Sequence, residues 1–182
     1  IFAAVMCLAD PAGWAPVSGV DFGLLSLLGI VAMSAHMLVN RSLKMLKSYR
    51  TGTVPSPSTD LKAEAERASA TVAAAYADYR LQEALIGAWD LVNRANKYVE
   101  ETAPFKLAKD PSQAARLDQV LYALVETCRV LAVLLWPVIP ETATRIYAQL
   151  GLPGAPDRLS AAAWGGLAEG HSVGEPQPLF PR

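Results

Sequence analysis

The chain has 182 residues, 52% of them hydrophobic and 18% charged, and a net charge of −1. This is about one domain with enough apolar material for a sizeable core, which excludes disorder over most of its length; the balanced charge excludes a strongly basic surface, so any RNA contact must come from a local patch and from stacking. Two isolated cysteines, Cys7 and Cys128, and two histidines, His36 and His171, exclude a disulfide framework and a zinc site of the usual spacing, and fit a reducing compartment.

Alanine and leucine are abundant and β-branched runs are few, so the elements lean all-α. Residues 1–23 carry Pro11, Gly13, Pro16, Gly19 and Gly23 among small apolar residues and predict no element. From Phe22 to Val39 there is no Asp, Glu, Lys or Arg. That length is also that of a membrane span, with Arg41, Lys44, Lys47 and Arg50 as its positive flank, but the plainer reading is a buried helix of a bundle that continues to Arg50. Gly52 and Pro55 are stop signals, and Pro55 to Asp60 is a linker ending in a plausible N-cap. Leu61 to about Ala77 predicts a second helix, which Tyr79-Arg80 interrupts. Leu81, Ala84, Leu85, Ala88, Trp89, Leu91, Val92, Ala95 and Val99 recur at helical spacing and predict a third helix ending before Pro104. Ser112 is the expected cap of a fourth, whose stripe runs from Leu117 through Val120, Leu121, Leu124, Val125, Cys128 and Leu131 to Leu135. Pro137 ends or kinks it, Pro140-Glu141 opens a last helix, and Gly151 closes that one. The fold class is therefore all-α, a bundle of about five helices, with an irregular Gly/Pro-rich tail over 152–182.

The third helix ends in Ala95-Asn96-Lys97-Tyr98-Val99-Glu100-Glu101-Thr102-Ala103-Pro104-Phe105, followed by Lys106-Leu107-Ala108-Lys109. This resembles the anticodon-binding domain of methionyl-tRNA synthetases, where an Asn-x-Tyr helix end runs into Ala-Pro-Trp or Ala-Pro-Phe. Upstream, the stretches Leu81 to Leu85 and Trp89 to Arg94 stand at the family's spacing. Downstream, Arg129 to Ala132, Pro137 to Pro140, Gln149 to Gly151 and the closing His171 to Arg182 match in the same order. The likeness covers about residues 38–182 and divides the chain into an atypical apolar segment (1–37), a helical anticodon-binding bundle (38–151) and a tail packed on it (152–182). Anticodon domains of other class I synthetases share the bundle; the Ala-Pro-Phe element and the Pro-Leu-Phe-Pro ending favour methionine.

The resemblance implies a cytoplasmic methionine–tRNA ligase that uses ATP and Mg, with methionine tRNA as partner and a catalytic domain in the same enzyme. It implies no metal or cofactor in this chain, no membrane, and no catalytic residue, because neither a His-Ile-Gly-His motif nor a Rossmann pattern is present. The chain alone is expected to be catalytically inactive. Lys44-Met45-Leu46-Lys47-Ser48 is similar to the ATP-binding loop of class I synthetases, but that motif needs a mobile loop and here lies in a helical pattern.

By the resemblance, Phe105 takes the position whose aromatic stacks on an unstacked anticodon base, and Pro104 fixes the backbone before it. The alternative is that Phe105 plugs the bundle. Asn96 bonds a base edge or, preferably, tethers the loop; Tyr98 is packing. Arg41 aligns with an arginine that contacts the first anticodon base, and with Lys44 and Lys47 or Ser48 it forms a basic stripe. Lys106 and Lys109 are candidate phosphate contacts, as are Lys44 and Lys47; a solvated face is the plain alternative. One and two turns before the arginine the family carries asparagines, whereas this chain has Met37 and Met33. The departure is read as a shifted reading frame upstream of about Leu38.

Overall fold

The computed structural model describes residues 22–179, and each expected apolar stripe there folds as a helix. We label the five helices of 10 residues or more α1 (Phe22–Arg50), α2 (Lys62–Ala77), α3 (Leu81–Thr102), α4 (Ala114–Leu135) and α5 (Pro140–Gln149). A single-turn helix, Pro104–Leu107, and 3-10 turns at Pro111–Gln113 and Leu159–Ala162 complete the regular structure described. The Gly/Pro-rich start, Cys7 and the closing Phe180-Pro181-Arg182 lie outside the described residues.

α4 is the axis of the bundle. Every residue from Val120 to Leu135 is buried, and α1, α2, α3 and α5 all pack against it. A helix apolar on all sides needs such an all-round shell. α1 is one unbroken helix through Met37-Leu38, and it buries Val31, Ala35, Leu38, Val39, Leu43 and Leu46 against the core. It is long and apolar enough to cross a membrane by length and composition. Only part of that apolar stretch, the inner face with Val31, Ala32, Ala35, Leu38 and Val39, is buried.

The junctions differ in detail from the expected caps. Leu61, in the left-handed region at φ 62, precedes α2, so Asp60 does not cap it. Instead Asp60 accepts from Tyr98 and Arg116 across the bundle. Ser112 does not cap α4 either. Asp110 accepts from the Ser112 N–H at 3.0 Å and from its hydroxyl at 2.7 Å, turning the chain ahead of α4. Tyr79, at φ 58, makes the turn between α2 and α3 where the pattern breaks.

The irregular tail is part of the core. Ala162, Leu167, Val173 and Leu179 are buried within the apolar cluster. Thr53 and Ser172 form an isolated antiparallel bridge that joins the exit of α1 to the tail. Gly151, at φ 73, is required there, because a Cβ would sit 2.5 Å from the Ser172 carbonyl oxygen. The Gln149 amide donates to the Gln177 carbonyl at 3.0 Å and accepts from its N–H at 3.1 Å, as a paired strand would.

The strongest fastening is charged. Glu126, fully buried, accepts from the backbone N–H groups of Gly165, Gly166 and Leu167 at 2.7, 2.9 and 3.1 Å. Arg129, one turn on, pairs with Glu126 at 2.6 Å and donates to the Ala161 and Ala163 carbonyls. Burial pulls the Arg129 pKa down, but its bonds to Glu126 outweigh that and the net shift is upward, so the cation is held. A charge taken out of water survives only with such partners.

Candidate nucleic-acid interface

The end of α3 is built to present one ring. The Thr102 hydroxyl donates back to the Tyr98 carbonyl at 2.7 Å, and Ala103 turns to φ 43, with its N–H on the Val99 carbonyl at 3.0 Å. Pro104 then starts the single-turn helix, where a missing N–H costs nothing. The Lys106 N–H returns to the Ala103 carbonyl at 2.7 Å, and the Ala108 N–H to the Pro104 carbonyl at 2.9 Å. The loop is thus closed by its own backbone. Pro104 is buried and Phe105 is 50% exposed, so the ring does not plug the bundle.

Beneath the loop lies a polar brace. Tyr98 is buried and its hydroxyl donates to Asp60, to which Arg116 also donates at 2.6 Å. Burial pushes the Asp60 carboxyl up, yet the bonds from Tyr98 and Arg116 bring it below its ordinary value. The same burial and the bond to Asp60 drive the Tyr98 phenol far up, so it stays a donor. The brace ties the linker, α3 and α4 together at the root of the Phe105 loop. Asn96 is half-buried and its side chain makes no hydrogen bond among the described residues, so the expected tether to the loop is not formed.

The second surface is the outer face of α1. Ile30, Met33, Met37, Arg41, Lys44 and Ser48 are all exposed, and at ~100° per residue they fall within an arc of about 80°. Arg41, Lys44, Lys106 and Lys109 are exposed and form no ion pair among the described residues. Lys47 departs from the expected stripe. It pairs with Glu175 of the tail at 2.6 Å, and its stem lies against Gly52. The Lys44-to-Ser48 stretch is inside α1 with Leu46 fully buried, so it is not a mobile triphosphate loop and does not fit ATP.

Among the described residues no group of His, Cys, Asp or Glu could hold a metal ion. A cleft of about 400 Å³ lies against Arg129, Tyr147, Pro153 and Trp164. The guanidinium there is committed to Glu126 and two tail carbonyls, so it has little left to offer a ligand.

A sequence model of the anticodon binding domain of methionyl tRNA ligase matches residues 50–182. The chain belongs to this family.

Similar proteins agree. The methionine–tRNA ligase of Caldanaerobacter subterraneus subsp. tengcongensis is 36% identical over 151 residues, covering 80% of this chain and 24% of that protein. That of Bacillus subtilis is 34% identical over 154 residues, covering 80% of this chain and 23% of that protein. The crystal structure of ligand-free Mycobacterium tuberculosis methionyl-tRNA synthetase superimposes with a TM-score of 0.77 at 29% identity, over 87% of this chain and 34% of that one. The same enzyme in complex with methionyl-adenylate gives 0.71 at 30% identity, over 82% of this chain and 31% of that one. The chain therefore spans about a quarter of the length of the ligases it matches. It corresponds to their anticodon-binding domain, without the part that carries the chemistry.

Two arrangements of this anticodon-binding domain were not read from sequence. Glu126 and Arg129, charged and spaced i,i+3 within an otherwise apolar run, were the available signal for the buried pair. The Asp60–Tyr98–Arg116 brace had none, because its members come from three separate segments.

Proposed function

We propose that the chain binds the anticodon loop of methionine tRNA, with Phe105 stacking on an unpaired base and Arg41 bonding a base edge. Pro104 fixes the approach of the ring, Asn96 offers its unused amide to the same loop, and Lys44, Lys106 and Lys109 lie against phosphates. The observation that carries this reading is the half-exposed Phe105 on a loop closed by its own backbone bonds and braced from below. An exposed ring held in place loses little freedom when a base stacks on it. Lys47 serves the tail contact to Glu175 in preference to RNA.

In the complete enzyme this domain would position methionine tRNA for a catalytic domain of the same chain, which would use ATP and Mg to join methionine to it, in the cytoplasm. Labelled tRNAs differing only in anticodon test the domain's own part, at fixed salt. Methionine tRNAs are expected to bind more tightly than an anticodon-swapped tRNA. Equal binding overturns sequence reading by this domain, and an unchanged affinity of Phe105→Ala overturns the stacking. Upstream of about Leu38, we attribute the departure from the family pattern to a shift of frame in the gene. The nucleotide sequence tests it: the absence of any family-like translation in either other frame excludes it.

A further inference from the structure

We infer that Glu175 of the tail masks Lys47, withholding a phosphate contact that the basic end of α1 would otherwise offer to RNA. The inference rests on the anticodon-loop reading above. Lys47 follows Lys44 by three residues, so it lies about 60° around α1 and about 4.5 Å further along it. That is about 40° outside the exposed arc, a gap that a flexible four-carbon stem can bridge to reach the same RNA backbone. Lys44 is exposed and forms no ion pair among the described residues. The Lys47 ammonium instead meets the Glu175 carboxylate at 2.6 Å.

Two features direct that pairing. The Lys47 stem folds back over Gly52, where a Cβ would sit 3.0 Å from both Cδ and Cε, so the ammonium is led toward the tail. The tail is held on either side of Glu175 by bonds of its own. The Val173 N–H donates to the Gly52 carbonyl at 2.9 Å and the Gly174 N–H to the Gln149 carbonyl at 2.8 Å. Beyond Glu175, the Gln177 N–H donates to the Gln149 side-chain oxygen at 3.1 Å. These bonds place Glu175 without help from the ion pair. The pair itself is open to water, with the Glu175 side chain 77% exposed, and a screened pair of this kind adds little to the fold. Its consequence is therefore in charge: it neutralises a cation beside Lys44. It is also weak enough for a phosphate to contest once the carboxylate is removed.

The test uses the full 182-residue chain and a labelled anticodon stem-loop of methionine tRNA, titrated by fluorescence anisotropy from about 50 to 200 mM salt. Glu175→Gln removes the charge and keeps the shape. It is expected to steepen the slope of log affinity against log salt by about 0.7, one phosphate on a single strand. That corresponds to a gain of about eightfold at about 50 mM salt and about threefold at about 200 mM. Lys47→Gln alone is expected to leave the slope in place and the affinity within about twofold, because the masked ammonium meets no phosphate. The double variant Lys47→Gln/Glu175→Gln is expected to return to the parent values. An equal gain in the double variant would make Glu175 a general repeller of RNA and overturns the inference. A slope reduced by about 0.7 in Lys47→Gln also overturns it, because Lys47 would then already meet phosphate. So does a urea midpoint of Glu175→Gln well below that of the parent, which would make the pair a fastening of the tail. Binding by the parent with no gain in Glu175→Gln overturns this inference alone. Failure of the parent and every variant to bind overturns both the inference and the reading it rests on.

Discussion

Phe105 and Asp60 illustrate two ways in which a single side chain matters to one loop. Phe105 is half-exposed, so its removal should disturb the fold by less than about 1 kcal/mol, the usual scale for surface changes. Its loss from a stacked complex should cost ~1–3 kcal/mol of tRNA affinity. Phe105→Ala is therefore expected to lower affinity by about 5- to 150-fold with an almost unchanged urea midpoint, and Phe105→Trp to retain or raise it. Comparable losses of stability and affinity would mean that the ring is a packing residue. Asp60 acts from beneath. Its carboxyl is held below the ordinary value of 3.8 because bonds from Tyr98 and Arg116 outweigh its burial. A depressed carboxyl stabilises the fold above that ordinary value, and the contribution is lost as pH falls through the folded value. Asp60→Asn should thus be less stable than the parent by about 1–2 kcal/mol at about pH 7, a figure already reduced for solvent exposure. The gap should be narrower at about pH 3, below the ordinary carboxyl value and nearer the folded one, because the contribution is lost as pH falls between the two. Urea midpoints of both proteins at the two pH values decide it; a gap independent of pH would place the effect in packing.

At the scale of elements, what was legible depended on whether a period was present. α3 and α4 carry apolar residues every three or four positions, and their bounds fell where Pro104 and Pro137 required. α1 was ambiguous for a physical reason. Its inner face is buried while Ile30, Met33 and Met37 leave its outer face apolar, and composition alone cannot tell such a helix from a membrane span. Caps were misassigned at Asp60 and Ser112, because a carboxylate can satisfy a distant guanidinium or its own turn as readily as a helix end. The tail had no period at all, so its burial was expected only through resemblance. Its attachment to α4 can be broken at one residue. Arg129→Ala would leave Glu126 fully buried without its counter-charge and free the Ala161 and Ala163 carbonyls. The expected cost is about 3–5 kcal/mol, a large share of the ~5–15 kcal/mol that holds a domain together. Limited proteolysis should then cut first near residues 161–167 while the helical circular dichroism persists. Simultaneous loss of tail and helices would show that the tail and bundle unfold as one unit.

For the whole molecule, a net charge of −1 means that attraction to RNA cannot be a property of the domain at large. It must reside in the few cations that no acidic neighbour already holds. Arg50, Arg94 and Arg116 are engaged with Asp118, Glu64 and Asp60, and Lys47 with Glu175. Arg41, Lys44, Lys106 and Lys109 are exposed and unpaired among the described residues, as are Arg67 and Arg158. Counterion release makes this countable, since each phosphate neutralised on a single strand contributes about −0.7 to the slope of log affinity against log salt. If Lys44, Lys106 and Lys109 meet phosphates and Arg41 meets a base, the slope should be about −2. If Arg41 also meets a phosphate, it should be about −3. Anisotropy titrations from about 50 to 200 mM salt separate the two when repeated with single variants. Lys44→Ala should reduce the slope by about 0.7 and weaken all anticodon loops alike. Arg41→Ala should leave the slope in place and erase selection at one base. A slope change for Arg41→Ala equal to that of Lys44→Ala would reassign the arginine from base to backbone. A slope near zero would remove these cations from the interface altogether and leave Phe105 to carry the binding.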